Sequence, residues 1–455
     1  MKNASMETHV IRSTLAAALL ATTAPAYAAE PTAADIAAEL AAMRTKIAEL
    51  EAQVASLQAK SAAPAAPAAA PEAPKPASGS GGGGVTFKPF GRIQYDVGHV
   101  SSPPGVTDRG LGFGSEVRRA RIGAEGTTPG GFGYKIEVDF ADNEVEITDA
   151  FLSYKASKEL GLTIGQHNNF QSLEELTSSR FLSFMERAAF TDAFGFERRV
   201  GLSATWTSGP LIAQAGVFTD NIEDLSNAQD AVGLGDENNA VSFDGRLVYA
   251  PTLGDTQLHL GASAHWRDNG DTAQFGPATR YRQRPFVHTS NTRFLATPSL
   301  RVETETNYGL ELAAISGPFH AAGEVHWLKA DTLTPGRSPT FFGGYVEAGW
   351  FITGESRGYK GGRWDRTKVK NPVGDGGFGA FQLNLRYDHL DLNSDGVIGG
   401  RQRGYEASLI WIPQDHVRFY LNYGRLRFDD AAIAAAGGDR DYSVDVIGAR
   451  AQVDF

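Results

Sequence analysis

The sequence predicts an all-β fold, a 16-stranded antiparallel transmembrane β-barrel, preceded by a short α-helical coiled coil. Three observations predict it. Hydrophobicity alternates with period two from Val85 to Phe455, as in strands with two unlike faces. The alternating segments are about ten residues long, the length a tilted strand needs to cross a bilayer. Aromatic residues close the apolar faces at Trp206, Tyr249, Trp266, Trp327 and Trp411, where interfacial girdles belong.

The alternation is plain in "YKIEVDF", which puts Tyr134, Ile136, Val138 and Phe140 on one face and Lys135, Glu137 and Asp139 on the other. Sixteen such segments begin near residues 88, 115, 132, 145, 160, 198, 211, 239, 256, 304, 318, 341, 377, 400, 415 and 441. An even count is what a bacterial barrel requires. Short connections such as "TTPGG", "ASKE", "TSGP" and "PQD" alternate with long ones near 101–114, 168–197, 221–238 and 268–300. Short turns on one side and long loops on the other is the barrel asymmetry. One connection departs from it: residues 355–376 are long yet fall, by parity, on the short-turn side. The chain ends on Phe455, an aromatic on the apolar face, like the assembly signal of bacterial outer-membrane barrels.

Three segments precede the barrel of residues 85–455. Residues 1–28 carry Lys2 and Arg12, an apolar run and Ala26-Tyr27-Ala28, the order of a secretory signal peptide. Residues 29–60 hold Ile36, Leu40, Met43, Ile47, Leu50, Val54 and Leu57 at alternating spacings of four and three, a coiled-coil seam. Residues 61–84 are Pro/Ala-rich and then Gly/Ser-rich, a linker. Both termini of an even-stranded barrel lie on one side, so the heptads belong in the periplasm. There they could help trimerise the protein, space it, or touch the cell wall.

Composition narrows the function. A net charge of −11 argues against nucleic acid as a partner. With no cysteine there is no thiol redox centre. No cofactor and no metal are expected. "GESRG" at 354–358 matches a nucleophile pattern without the strand–elbow–helix setting that pattern needs. "DLNSDG" at 391–396 starts like a calcium loop, but its twelfth position is Gln402 rather than the bidentate Glu. Neither supports an enzyme.

Charge placement points to a water-filled channel. A lipid-facing arginine at mid-bilayer costs roughly 2–4 kcal/mol, so barrel arginines belong in the lumen or at a rim. By alternation Arg92, Arg119, Arg121, Lys135, Arg199, Arg246, Arg386, Arg418 and Arg450 point inward, as do Glu137, Asp139, Glu311, Glu324, Glu347 and Asp388. Arg401, Arg403, Arg425 and Arg427 instead share parity with outer-face residues, just beyond the apolar band; that placement suits outer-membrane lipid, in particular lipopolysaccharide phosphates, or a subunit contact. "RYRQRPF" sets Arg280, Arg282 and Arg284 on one side of an extended loop. "SLEELTSSRFLSFMERAAF", 172–190, breaks the period and reads as helix, with capping boxes at Ser172/Glu175 and Ser183/Glu186.

These blocks resemble the phosphate- and polyphosphate-selective porins of Gram-negative outer membranes. The carriers are "RRARIGAEG" at 118, "YKIEVDFADNEVEITDAFLSY" at 134, "SLEELTSSRFLSFMERA" at 172, "RYRQRPF" at 280, "FITGESRGYK" at 351 and "LDLNSDGVIGGRQ" at 390. The resemblance implies a homotrimer integral to the outer membrane. It implies a third loop folded into each lumen, and passive diffusion of small anions such as phosphate past basic side chains. Carried over by position, the candidates are Arg119, Arg121, Arg180, Arg187, Arg199, Arg280, Arg282 and Arg284. The chain departs from the family at Asn168, where members commonly have lysine. The alternatives are a general small-solute porin without phosphate selectivity and an adhesive or envelope-tethering barrel anchored through its coiled coil.

Overall fold

A computed structural model of the chain describes residue 45 and residues 84–225, 240–274 and 276–455. The signal peptide, the linker and nearly all of the heptad segment lie outside the described residues. The rest is a closed antiparallel barrel of sixteen strands: β1 (Lys88–Val100), β2 (Gly112–Thr128), β3 (Phe132–Asp139), β4 (Glu146–Lys155), β5 (Leu160–Asn168), β6 (Arg198–Ser208), β7 (Leu211–Phe218), β8 (Val241–Tyr249), β9 (Thr256–Asp268), β10 (Val302–Ser316), β11 (Phe319–Thr332), β12 (Thr340–Phe351), β13 (Ala380–Ser394), β14 (Val397–Gln414), β15 (Val417–Asp429) and β16 (Ser443–Asp454). Each strand pairs with its sequence neighbours, and β1 pairs with β16, from Arg92↔Asp454 to Val100↔Val446, to close the cylinder. Closure leaves no wall edge unpaired, as a hydrocarbon setting demands.

Turn chemistry explains the hairpins. Ser-Gly-Pro turns, with Gly209 and Gly317 at positive φ, join β6 to β7 and β10 to β11. Asp395 and Gly396, both at positive φ, make the two-residue turn between β13 and β14, the favoured hairpin geometry. This is the "DLNSDG" stretch, and Asn393 Oδ1 accepts from the Gly399 and Gly400 amides there. It is a polar turn.

Outer faces carry Leu310, Leu312, Val346, Leu385 and Leu421, all exposed, as lipid-facing residues must be. Inner faces differ around the circumference. On β8–β16 they are shut: Arg246, Ser263, Glu311, Glu324, Asn384, Arg386, Ser408 and Arg450 are all buried. On β2–β6 the inward Arg121, Lys135, Ser153, Thr163 and Thr205 keep partial exposure. Water therefore reaches one side of the lumen.

Three inserted segments fill the other side. The third long loop, L3 (169–197), and the fifth, L5 (269–301), enter from the long-loop end. Their Phe190, Phe194, Phe196, Phe286 and Phe294 join wall residues Phe341, Leu390 and Phe428 in one apolar core. The third segment is the anomalous connection, 352–379. It lies at the terminus end as parity requires, and its length is used to fold inward. A hairpin pairing Gly358–Lys360 with Arg363–Asp365 turns at Gly361 and Gly362, both at positive φ. The Gly362 carbonyl receives Arg246 of β8, and Tyr359 Oη meets His259 of β9 at 2.6 Å. Trp364 is buried in the same core as L3, its amide donating to Thr177 Oγ1 at 3.2 Å.

L3 is less helical than its sequence suggests. Ser172 Oγ accepts from the Glu175 amide at 3.1 Å and caps one turn, α1 (Leu173–Leu176). The second capping box does not form. Ser183 instead donates to Glu347 of β12, and the next helix, α2 (Ala189–Ala193), starts at Ala188 without a side-chain cap. Wall carboxylates took over that capping task. L3 lies so close to the wall that a Cβ on Gly343 would stand 2.4 Å from Phe190 Cβ. Gly343→Val should push L3 off β12 towards the open β2–β6 side, lowering single-channel conductance and the unfolding temperature while the barrel still forms.

Candidate functional site

The L3 backbone is held by acids of the wall. Glu324 of β11 accepts the Leu173 and Glu174 amides at 2.9 and 2.8 Å. Asp388 of β13 accepts the Ala189 amide at 2.9 Å. Both carboxylates thus meet the free N–H groups at a helix start. Within the loop, Glu174 accepts the Ala188 amide at 2.8 Å, and Arg187 donates to the carbonyls of Glu174, Glu175 and Thr177. Arg386 of β13 joins loop to wall: it bonds Glu174 and, at 2.6 Å, Glu347, with its guanidinium over the Phe184 and Tyr345 rings at 4.4 and 4.6 Å.

Between L3 and the β2–β6 wall lies a cavity of about 310 Å³ lined by six arginines, 118, 119, 121, 187, 198 and 284, with Glu146, Glu175, Glu186, Asp192 and Glu197. Most of the arginines have carboxylate partners: Arg118 with Glu186 at 3.0 Å, Arg121 with Asp139 at 2.7 Å, Arg187 with Glu175 at 3.2 Å and Arg198 with Asp149 at 2.9 Å. Arg119 is the exception in the wall. Its guanidinium donates to Gln94 Oε1 at 2.8 Å and has no carboxylate partner among the described residues. Burial alone would raise the Glu186 carboxyl, but Arg118 and Arg450 outweigh it and hold it well below the usual carboxylate range. Glu186 is therefore an anion pinned between two cations, and it offsets their charge.

The eight sequence candidates separate. Arg119, Arg121, Arg187 and Arg284 meet at this cavity. Arg282 is exposed beyond it on a two-stranded piece of L5 and Arg280 is exposed just before that piece, so the outer two arginines of the ladder stand at the mouth. Arg180 lies deeper, over the Phe181 ring at 5.0 Å and 3.7 Å from Asp454. Arg199 points inward but is buried, paired with Glu197 at 2.7 Å and Asp220 at 3.5 Å, and is not among the residues lining the cavity. Asn168 ends β5 opposite Arg198, beside the cavity.

Sequence reasoning missed three residues. Arg118 reaches the lumen because of a β-bulge: Gln94 pairs with Arg119 and Tyr95 with Val117, leaving Arg118 as the extra residue. A bulge resets alternation, and nothing in "EVRRARI" marks it. Arg198, on the outer parity of β6, turns inward at the strand's first position to reach Asp149. Arg357, within "GESRG", is buried and bonds Ser183, the Phe181 carbonyl and His320; its signal was the misplaced length of its connection.

The family model described as phosphate-selective porin O and P matches residues 87–455. The chain belongs to that family. It is an outer-membrane porin, a channel by family. An uncharacterised protein of Caulobacter vibrioides is 54% identical over 373 residues, covering 82% of this chain and 75% of that one. Among solved structures, an anion-selective porin from Comamonas acidovorans is similar at 16% identity, covering 82% of this chain and 100% of that one with a TM-score of 0.49. The outer membrane channel DcaP of Acinetobacter baumannii is similar at 12% identity, covering 82% and 98%, with a TM-score of 0.49.

The Arg386 network supplies a test of how the porin holds its constriction. Arg386→Met removes the cation shared by Glu174 and Glu347, leaving buried Glu174 without a guanidinium partner and Glu347 with Arg357 at 3.7 Å, a cost of about 3–5 kcal/mol. Heat unfolding in detergent should show a lower transition, and adding Glu174→Gln should recover part of the loss. An unchanged transition in the single variant would mean the bridge does not hold L3.

Proposed function

We propose that the protein is a homotrimeric porin through which small anions, phosphate among them, diffuse passively along the β2–β6 side of each barrel. The observation that carries this reading is the arginine lining of the water-accessible cavity, with Arg119 lacking a carboxylate. Guanidinium groups replace part of an anion's hydration. Release requires that the replacement be weak, and the carboxylates beside Arg118, Arg121, Arg187 and Arg198 keep it so. Arg280 and Arg282 at the mouth raise the local anion concentration, as a charged cleft does. Arg180 and the cations of segment 352–379 would meet the anion last, on the periplasmic side.

The same pairing, together with Asn168 where lysine is common, favours a moderate preference over strict phosphate selectivity. The heptad segment would stand in the periplasm, spacing the barrel from the cell wall, while the barrel sets the threefold state. No residue here performs covalent chemistry.

Planar-bilayer recording tests this. A salt gradient should give an anion-over-cation permeability ratio above unity, and millimolar phosphate should reduce chloride current. Arg119→Gln should lower the ratio by about two-fold or more, as loss of one free pore cation implies, with oligomer and heat stability unchanged. A ratio near unity with no phosphate block would leave a general small-solute porin. A folded protein with no conductance would favour the tethering barrel.

A further inference from the structure

A second set of arginines lies outside the lumen. Arg401 and Arg403 of β14 and Arg425 and Arg427 of β15 occupy the outer face at the long-loop end, on the parity of Tyr405, Leu409, Leu421 and Tyr423. Ten residues separate Trp411, at the terminus end of β14, from Arg401. At ~3.3 Å per residue and a tilt of about 40° that is roughly 25 Å of height, the full apolar band. The arginines therefore sit where the band gives way to headgroups, directly above tyrosines of the aromatic girdle.

Their mutual arrangement calls for anions. Arg403 and Arg427 are directly opposed across β14 and β15, a like-charge placement that destabilises a sheet. Asp429 answers Arg403, with both carboxylate oxygens at 2.7 Å. Asp391 answers Arg401 at 2.8 Å and Asp445 answers Arg425 at 2.9 Å. Arg427 has no carboxylate partner among the described residues; its guanidinium lies over the Tyr405 ring at 5.7 Å. Three of the four cations thus have carboxylate partners within 3 Å, and the fourth does not, on an exposed surface bordering lipid.

We propose that this belt binds the phosphate groups of the phosphorylated glycolipid of the outer leaflet, with Arg427 the primary contact and Arg425 and Arg401 flanking it. Guanidinium forks match phosphate oxygens two at a time, and the girdle below gives acyl chains an apolar wall. The assignment is independent of what passes through the pore, since none of these side chains enters the lumen.

Native mass spectrometry of the detergent-purified full-length protein, with added bis-phosphorylated lipid A or its dephosphorylated form, tests it. The wild type should retain the phosphorylated lipid and shed the other. Arg425→Gln/Arg427→Gln should reduce retention about ten-fold, with single-channel conductance unchanged, and Arg427→Lys should keep most of it. Equal retention of both lipids by the wild type, a comparison that needs no variant, would overturn the proposal. So would retention undiminished in the double variant, or loss of trimers without loss of lipid, which would mark the belt as a subunit contact.

Discussion

The interior of this barrel depends on one guanidinium. Arg386 is buried between Glu174 of the loop and Glu347 of the wall, flat against Phe184 and Tyr345. An unpaired charge there would be prohibitive to bury, so each partner requires the others. Loop backbone at membrane depth faces the same constraint, because its N–H groups need acceptors and lipid offers none. Glu324 and Asp388 accept the L3 amides, Arg187 donates to L3 carbonyls, and Arg386 ties the loop to β13.

From that attachment the shape of the lumen follows. L3 and L5 fill the space against β8–β16, and the inserted hairpin of 352–379 supports L3 from the terminus end through Trp364 and Arg357. The hairpin in turn reaches β8 through Arg246 and the Gly362 carbonyl. Water is left with the β2–β6 side, where Arg118, Arg119 and Arg121 lie within four consecutive residues of one strand. The bulge at Arg118 concentrates cations there: a regular strand would turn Arg118 to lipid, and the bulge turns it to Glu186.

Much of this was legible in the sequence. Period-two alternation marked the wall, because lipid on one side and water or protein on the other impose opposite demands on neighbouring residues. All sixteen predicted starts fall within three residues of a strand's first residue. L3 was visible because it broke the period. What stayed hidden were features that alternation cannot encode: the bulge at Arg118, the inward turn of Arg198 at the start of β6, the failure of the Ser183 cap once Glu347 competes for its hydroxyl, and the direction in which 352–379 folds. Arg199 shows the converse, since alternation aimed it correctly and Asp220 and Glu197 then took its charge.

The central claim is that one side of the lumen is water and the other is packed protein. The chain has no cysteine, so single thiols report cleanly. Ser153→Cys on β4 faces the open side, and Ser408→Cys on β14, where the native hydroxyl donates to the Ser183 carbonyl, faces the packed side. A charged, water-soluble thiol reagent applied during single-channel recording should modify Ser153→Cys quickly and change its conductance, leaving Ser408→Cys unreacted until the protein is unfolded. Equal reaction rates at the two positions in the folded porin would contradict the account.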